Sequence, residues 1–195
     1  MNYPHTLLKL MSAPSTARVM NSEKKLIKIL VRLRIDSDDY PPVSYESLWA
    51  TLNPDDTCTI DNTPYYVYGL SKGDSVSVKF EDGERYADTI TSKGGHSTLR
   101  VFSSNKDESM EIIDFIKKNG GNCSKSHGLS LFSVDIPATC SFEVIDDYLS
   151  NIQNDDTIAF EDACLQHANI PQDRRLECLS LATLVETPAK TKLTQ

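Results

Sequence analysis

The sequence lacks any run of apolar residues approaching the roughly 20 that a membrane-spanning helix needs, which leaves no candidate span. Near its start, Thr6-Leu7-Leu8-Lys9-Leu10-Met11 is interrupted by a lysine, has no basic segment ahead of it and is too short for a signal-peptide core. The five cysteines, Cys58, Cys123, Cys140, Cys164 and Cys178, are scattered and free of CxxC spacing, so no disulfide framework is expected and the thiols match a reducing compartment. Also missing are a Walker loop, GxGxxG, HExxH, GxSxG, an internal repeat and a low-complexity run. These absences predict a soluble, cytoplasmic chain with no membrane partner and none of the chemistries those signatures announce.

What is present is an ordinary globular composition, 39% hydrophobic and 25% charged over 195 residues, enough for one large or two small domains without staples. The net charge of −8 is unevenly spread. Residues 1–35 hold seven Lys or Arg against one acid, and the remainder holds 13 basic and 27 acidic side chains. An acidic body repels nucleic-acid phosphates and attracts a basic protein surface.

Residues 1–22 mix Ser, Ala, Pro and Thr without periodicity and are expected to form a flexible basic arm. From Lys24, Ile27, Ile29, Val31, Leu33 and Ile35 alternate with Lys28, Leu30, Arg32 and Arg34, the period-two pattern of a half-buried strand with a basic outer face. Short runs rich in β-formers follow at Glu46–Leu52, Cys58–Ile60, Tyr65–Tyr68, Ser75–Phe80 and Tyr86–Ser92, each bounded by turn residues. They predict a small SH3-like β-barrel over 23–95, with Leu70–Val76 as a diverging turn, a hairpin at Glu81–Glu84, and Trp49 and the tyrosines in or beside its core. Lys93-Gly94-Gly95 then reads as a flexible joint.

Over 96–168 the pattern becomes strand Thr98–Ser103, helix Asp107–Asn119 with the stripe Met110, Ile112, Ile113 and Ile116, strands Asn122–His127 and Ser130–Ile136, helix Phe142–Ile152 and strand Thr157–Ala163. This βαββαβ order predicts a ferredoxin-like domain with both helices on one face, so the fold class is α+β. A proline and acids open a further helix over Pro171–Val185 inside a tail of 169–195.

Five phrases carry a family resemblance: Tyr40-Pro41-Pro42-Val43-Ser44-Tyr45-Glu46-Ser47-Leu48-Trp49, Asp61-Asn62-Thr63-Pro64-Tyr65-Tyr66, Gly69-Leu70-Ser71-Lys72-Gly73-Asp74, Gly95-His96-Ser97-Thr98-Leu99-Arg100-Val101 and Glu161-Asp162-Ala163-Cys164-Leu165-Gln166-His167-Ala168. Over roughly Lys24 to Ala168 the chain resembles the uncharacterised bacterial family Domain of Unknown Function 4265. The resemblance implies a small cytoplasmic module and assigns no activity.

No metal or other cofactor is expected. Cys123 and His127, four apart on a strand, stand about 13 Å from each other, too far for one zinc. Cys164 and His167 have no second close pair to complete four ligands. In His96-Ser97 the neighbours point to opposite strand faces, which places His96, Thr98 and Arg100 together. Paired acids fall mainly in turns and at helix starts. The basic arm lacks interleaved aromatics and its last lysines and arginines belong to a strand face, so nucleic acid is not the expected partner.

The leading expectation is a non-catalytic protein-binding module, an immunity or antitoxin-like protein that neutralises a basic toxin or effector domain. Asp36, Asp38, Asp39, Glu81, Asp82, Asp155, Asp156, Glu161 and Asp162 would steer the partner in. The alternative is a small-molecule sensor or enzyme with a pocket at the domain junction lined by His96, Arg100 and His127.

Overall fold

A computed structural model describes residues 25–176 apart from Asp36, Asp38, Ser126, His127 and Asp155. The expected basic arm and most of the expected C-terminal helix lie outside the described residues. The chain is mixed α+β, with a closed five-stranded barrel followed by a second, four-stranded sheet and a few helices.

The barrel consists of β1 (Leu26–Arg32), β2 (Tyr45–Leu52), β3 (Cys58–Ile60), β4 (Ser75–Glu81) and β5 (Glu84–Ser92). Neighbours are antiparallel except where β1 meets β5 at Leu30 and Tyr86 and closes the ring. Alternation decides which side chains face in. Ile27, Ile29 and Val31 from β1, Leu48 and Ala50 from β2, and Ile60 and Val76 fill the interior together with Val67 and Leu70. Each Val, Leu or Ile among them contributes about 1.5–3 kcal/mol on burial. The β4–β5 hairpin turns through Asp82 (φ 50°) and Gly83 (φ 86°), the two left-handed residues that a two-residue turn matched to strand twist requires.

The second unit runs β6 (Ser97–Ser103), α1 (Lys106–Lys118), β7 (Asn122–Lys125), β8 (Leu131–Ile136), α2 (Phe142–Ile152) and β9 (Ile158–Cys164). Its sheet order is β7-β8-β6-β9 with every neighbour antiparallel. Both helices cover one face, where Ile112, Ile116, Ile145 and Leu149 meet Leu99, Val101, Phe132, Val134 and Ile136. The Asn105 side chain caps α1 by accepting from the Asp107 and Glu108 amides, and the chain leaves that helix through Gly120 at φ 86°. After β9 a short helix, α3 (Gln172–Leu176), closes the described chain. Among the described residues no helix is long and apolar enough to cross a membrane.

Four expectations are corrected. Tyr65–Tyr68 is not a strand: the buried Glu46 carboxylate accepts from the amides of Tyr65 (2.5 Å), Tyr66 (2.7 Å) and Val67 (3.0 Å), so they make no ladder. Trp49 is not core, because Leu48 and Ala50 take the inward positions of β2 and leave Trp49 47% exposed. Met110 is 55% exposed, and Ser109, bonded to the Asn105 carbonyl, is buried one position earlier. The joint at Lys93-Gly94-Gly95 is bonded on both sides rather than free, as described next.

Candidate functional site

Two features concentrate polar chemistry: the seam between barrel and sheet, and the outer barrel wall. At the seam Asp74, fully buried, accepts from the Ser71 amide (3.0 Å), the Gly94 amide (2.8 Å), the Gln166 side chain (2.9 and 3.0 Å) and the Lys93 ammonium (3.2 Å). Gln166 also accepts from the Gly95 amide, and Lys93 also donates to the Gly69 carbonyl. Direct links from barrel to sheet run from the Gly69 amide to the Ala163 carbonyl (2.8 Å) and between the Ser71 and Thr98 hydroxyls (2.8 Å). A Cβ on Gly94 would sit 2.4 Å from the Gly73 backbone, so the two turns touch main chain to main chain.

β6 is buried on both faces except at Phe102, one face under the helices and one under the barrel. On the barrel side, His96 Nδ1 donates to Asp135 (2.6 Å), which also accepts from Asn122. Arg100 is 1% exposed; its Nη1 donates to Glu161 (2.8 Å), and its guanidinium lies 3.9 Å from the Tyr68 ring centroid. Burial raises the Tyr68 phenol above its ordinary range, against the opposing pull of Arg100. Tyr65, pushed up to about 12 by burial, donates to the Leu131 carbonyl. Arg100 Nε and Nη2 and the Ser133 hydroxyl, on its ladder neighbour, are buried without a hydrogen-bond partner among the described residues.

On the other side of β6, His167 Nε2 donates to the Pro137 carbonyl (3.2 Å), and Nδ1 shares a hydrogen bond with the Ser97 hydroxyl (2.7 Å). Both imidazole nitrogens are thereby occupied by the fold. Among the described residues no group of three His, Cys, Asp or Glu converges as a metal site.

The acids singled out in the sequence separate into two sets. Glu81 bonds Arg32, Glu161 holds Arg100 and Tyr68 (3.0 Å), and Asp162 holds Arg174 at 2.6 and 2.9 Å. Arg174 also grips Asp146 with two bonds of 2.7 Å, and these carboxylates hold its pKa above the ordinary value. Asp39, Asp82 and Asp156 are exposed. Asp36, Asp38, Asp155 and His127 lie outside the described residues. His96, immediately ahead of β6, and Arg100 both lie on its barrel side, but neither lines the cavity at Ser103–Leu129 (590 Å³), that at Cys140–Arg174 (170 Å³) or that at Leu33–Tyr68 (230 Å³).

Sequence reasoning missed Glu46 and Asp74, whose partners are distant backbone amides. It also missed the outer wall, where Lys28 stands opposite Trp49 and Arg32 opposite Tyr45, and Tyr86 of β5 closes the group beside Leu30. The Lys28 ammonium is 5.1 Å from the Trp49 ring centroid and the Arg32 guanidinium 4.2 Å from that of Tyr86.

Over residues 46–160 the chain matches the family model described as Domain of unknown function (DUF4265). Its fold is similar to that in a "novel crystal structure of a hypothetical protein from Neisseria gonorrhoeae", with a TM-score of 0.61 at 21% identity, covering 75% of this chain and 98% of that one. At that identity the likeness concerns the fold alone. No curated protein matches the chain.

Proposed function

The chain belongs to the DUF4265 family, whose description assigns no activity, and from its geometry we propose a non-catalytic protein-binding module of the bacterial immunity or antitoxin kind. The observation that carries this reading is the run of exposed acids across the helical layer. α2 exposes Glu143 and Asp147 and contains no basic residue, and α1 exposes Asp107, Glu111 and Asp114 along its length, with its lysines, Lys106, Lys117 and Lys118, confined to its two ends. Together with the free acids Asp39, Asp82 and Asp156 they present a surface that attracts a basic protein domain and speeds its association. Glu81, Glu161 and Asp162, already engaged by arginines, contribute less to that steering. In the same reading the barrel is SH3-like and the second unit ferredoxin-like, supported by the strand order β7-β8-β6-β9 and by both helices lying on one face. Its place of work is the cytoplasm.

The test is capture of partners from the host lysate at low and moderate salt, followed by expression of any stoichiometric partner alone and with this chain. Toxicity of the partner alone, relieved by the chain and restored by the triple reversal Glu111→Lys, Asp114→Lys, Asp147→Lys, is the expected result. A partner whose binding ignores both salt and this reversal overturns the acidic-surface mechanism.

A second reading, a sensor or enzyme using the junction, is favoured by one observation: the unpartnered buried donors of Arg100 beside Ser133 suit a small polar or anionic guest. Screening small carboxylates and oxyanions by thermal shift tests it, with Arg100→Lys as the control. A guest that stabilises both proteins equally binds elsewhere.

A further inference from the structure

The outer wall formed by β5, β1 and β2 carries a cationic and aromatic surface on a chain whose net charge is −8. Lys25, Lys28, Arg32 and Arg34 fall within residues 25–35 with no acid among them. Strand pairing sets Trp49 (47% exposed) against Lys28 and Tyr45 (48% exposed) against Arg32. Tyr86 lies 5.8 Å from Tyr45, ring centre to ring centre. Trp49 and Tyr45 are four residues apart on one strand, about 13 Å at ~3.3 Å per residue. The wall thus offers the half-exposed rings of Trp49 and Tyr45 and the more covered ring of Tyr86, each with a cation beside it, supplied by three different strands.

We propose that this wall binds single-stranded nucleic acid, on a face distinct from the acidic helical layer and independent of any protein partner. A single strand supplies what the wall lacks: backbone negative charge for Lys28 and Arg32, and flat base faces for Trp49, Tyr45 and Tyr86. An acidic peptide supplies the charge without the faces. The chain's own remaining segments do not complement the wall: residues 1–24 carry Lys9, Arg18 and Lys24 against Glu23 alone, and residues 177–195 carry two acids and two lysines. Arg32 also bonds Glu81, whereas among the described residues no carboxylate bonds Lys28, which makes Lys28 the better position to test. The basic strand showed no interleaved aromatics in the sequence because its rings come from β2 and β5.

Trp49 is the only tryptophan in the chain, so its fluorescence reports on this wall directly. The experiment titrates the full chain with a thymidine 20-mer at low salt, following Trp49 emission and, in parallel, the anisotropy of a labelled oligonucleotide. A polyglutamate peptide of matched charge serves as competitor. The expected result is saturable quenching, affinity falling steeply with salt, and about 10-fold weaker binding by anisotropy in Trp49→Ala and in Lys28→Glu. Both side chains point outward, and unchanged melting temperatures verify that the variants fold. Three results each overturn the proposal: no saturable signal, equal competition by polyglutamate, which points to an acidic protein, or variants that bind like the parent. Self-association that blocks the wall, seen as a doubled mass without oligonucleotide, also overturns it and assigns the wall to a second copy.

Discussion

Glu46 organises more backbone than any other single side chain in the barrel, holding three consecutive amides of the Tyr65–Val67 segment. Hydrogen bonds to a charged group are worth about 1.5–3 kcal/mol each, and a glutamine at this position keeps one acceptor and turns an N–H toward amides that need one. Glu46→Gln is therefore expected to lower stability by about 2–4 kcal/mol, read from the urea midpoint at unchanged slope. A loss within about 0.5 kcal/mol, the usual effect of a surface change, would show that the carboxylate is not what shapes the segment. Nothing in the sequence marked this role, since Glu46 sits among exposed neighbours and its partners are some 20 residues on. Burial supplies a second expectation at this scale. It pushes the Cys123 thiol from 9.0 up to about 12 and the Tyr65 phenol from 10.0 up to about 12. The unfolded chain therefore loses these protons first as pH rises. Their contribution is intact below about pH 9 and is lost progressively between about pH 9 and 12. Urea midpoints at about pH 8 and pH 10.5 should fall in the parent and fall less in Cys123→Val; equal falls would assign the alkaline loss elsewhere.

Most elements were legible because each is specified by its own residues. β3 and α2 coincide with their predicted bounds and the other strands of the barrel and sheet lie within a few residues, since alternation and helical spacing are local signals. Failures occur where a distant partner decides. The β-forming Tyr65–Tyr68 run is captured by Glu46, and Trp49 is turned outward by the inward claim of Leu48 and Ala50. The alternation of β6 reads as half polar, yet Thr98 and Arg100 are as buried as Leu99 because the barrel roofs their face. Composition cannot distinguish the two tight turns that use glycine, although their surroundings differ. Gly83 has open space around a Cβ and needs only its positive φ, so Gly83→Ala should cost about 1–2 kcal/mol. Gly94→Ala drives a methyl into the Gly73 backbone and should cost about 3 kcal/mol or more. Comparable losses for the two, measured by denaturation side by side, would mean that the turns at the seam part easily.

At the scale of the molecule the two cores are separate, yet the buried Asp74 joins donors from the barrel turn, the joint and the segment after β9. The units are expected to unfold together in one calorimetric transition, and Asp74→Ala should resolve it into two. Two transitions in the parent, or one in the variant, would show that Asp74 does not couple them. The change from barrel strands to alternating strands and helices was visible in the sequence; the bonds that tie the two sheets together were not, because Asp74 and Gln166 are 92 positions apart. The same separation in sequence hid the aromatic wall, whose cations and rings meet only once the barrel closes. Closure has one more consequence. A ring of strands offers no unpaired rim, so the free rims among the described residues belong to β7 and β9 of the second sheet. β7 is four residues long, Asn122 to Lys125, polar and ending in a lysine, a poor template for another chain to add to. The other rim, β9, carries Glu161 and Asp162 and has its Ala163 carbonyl already taken by the Gly69 amide, so strand addition has little purchase at either edge and concentrated samples of the folded chain should stay clear over storage.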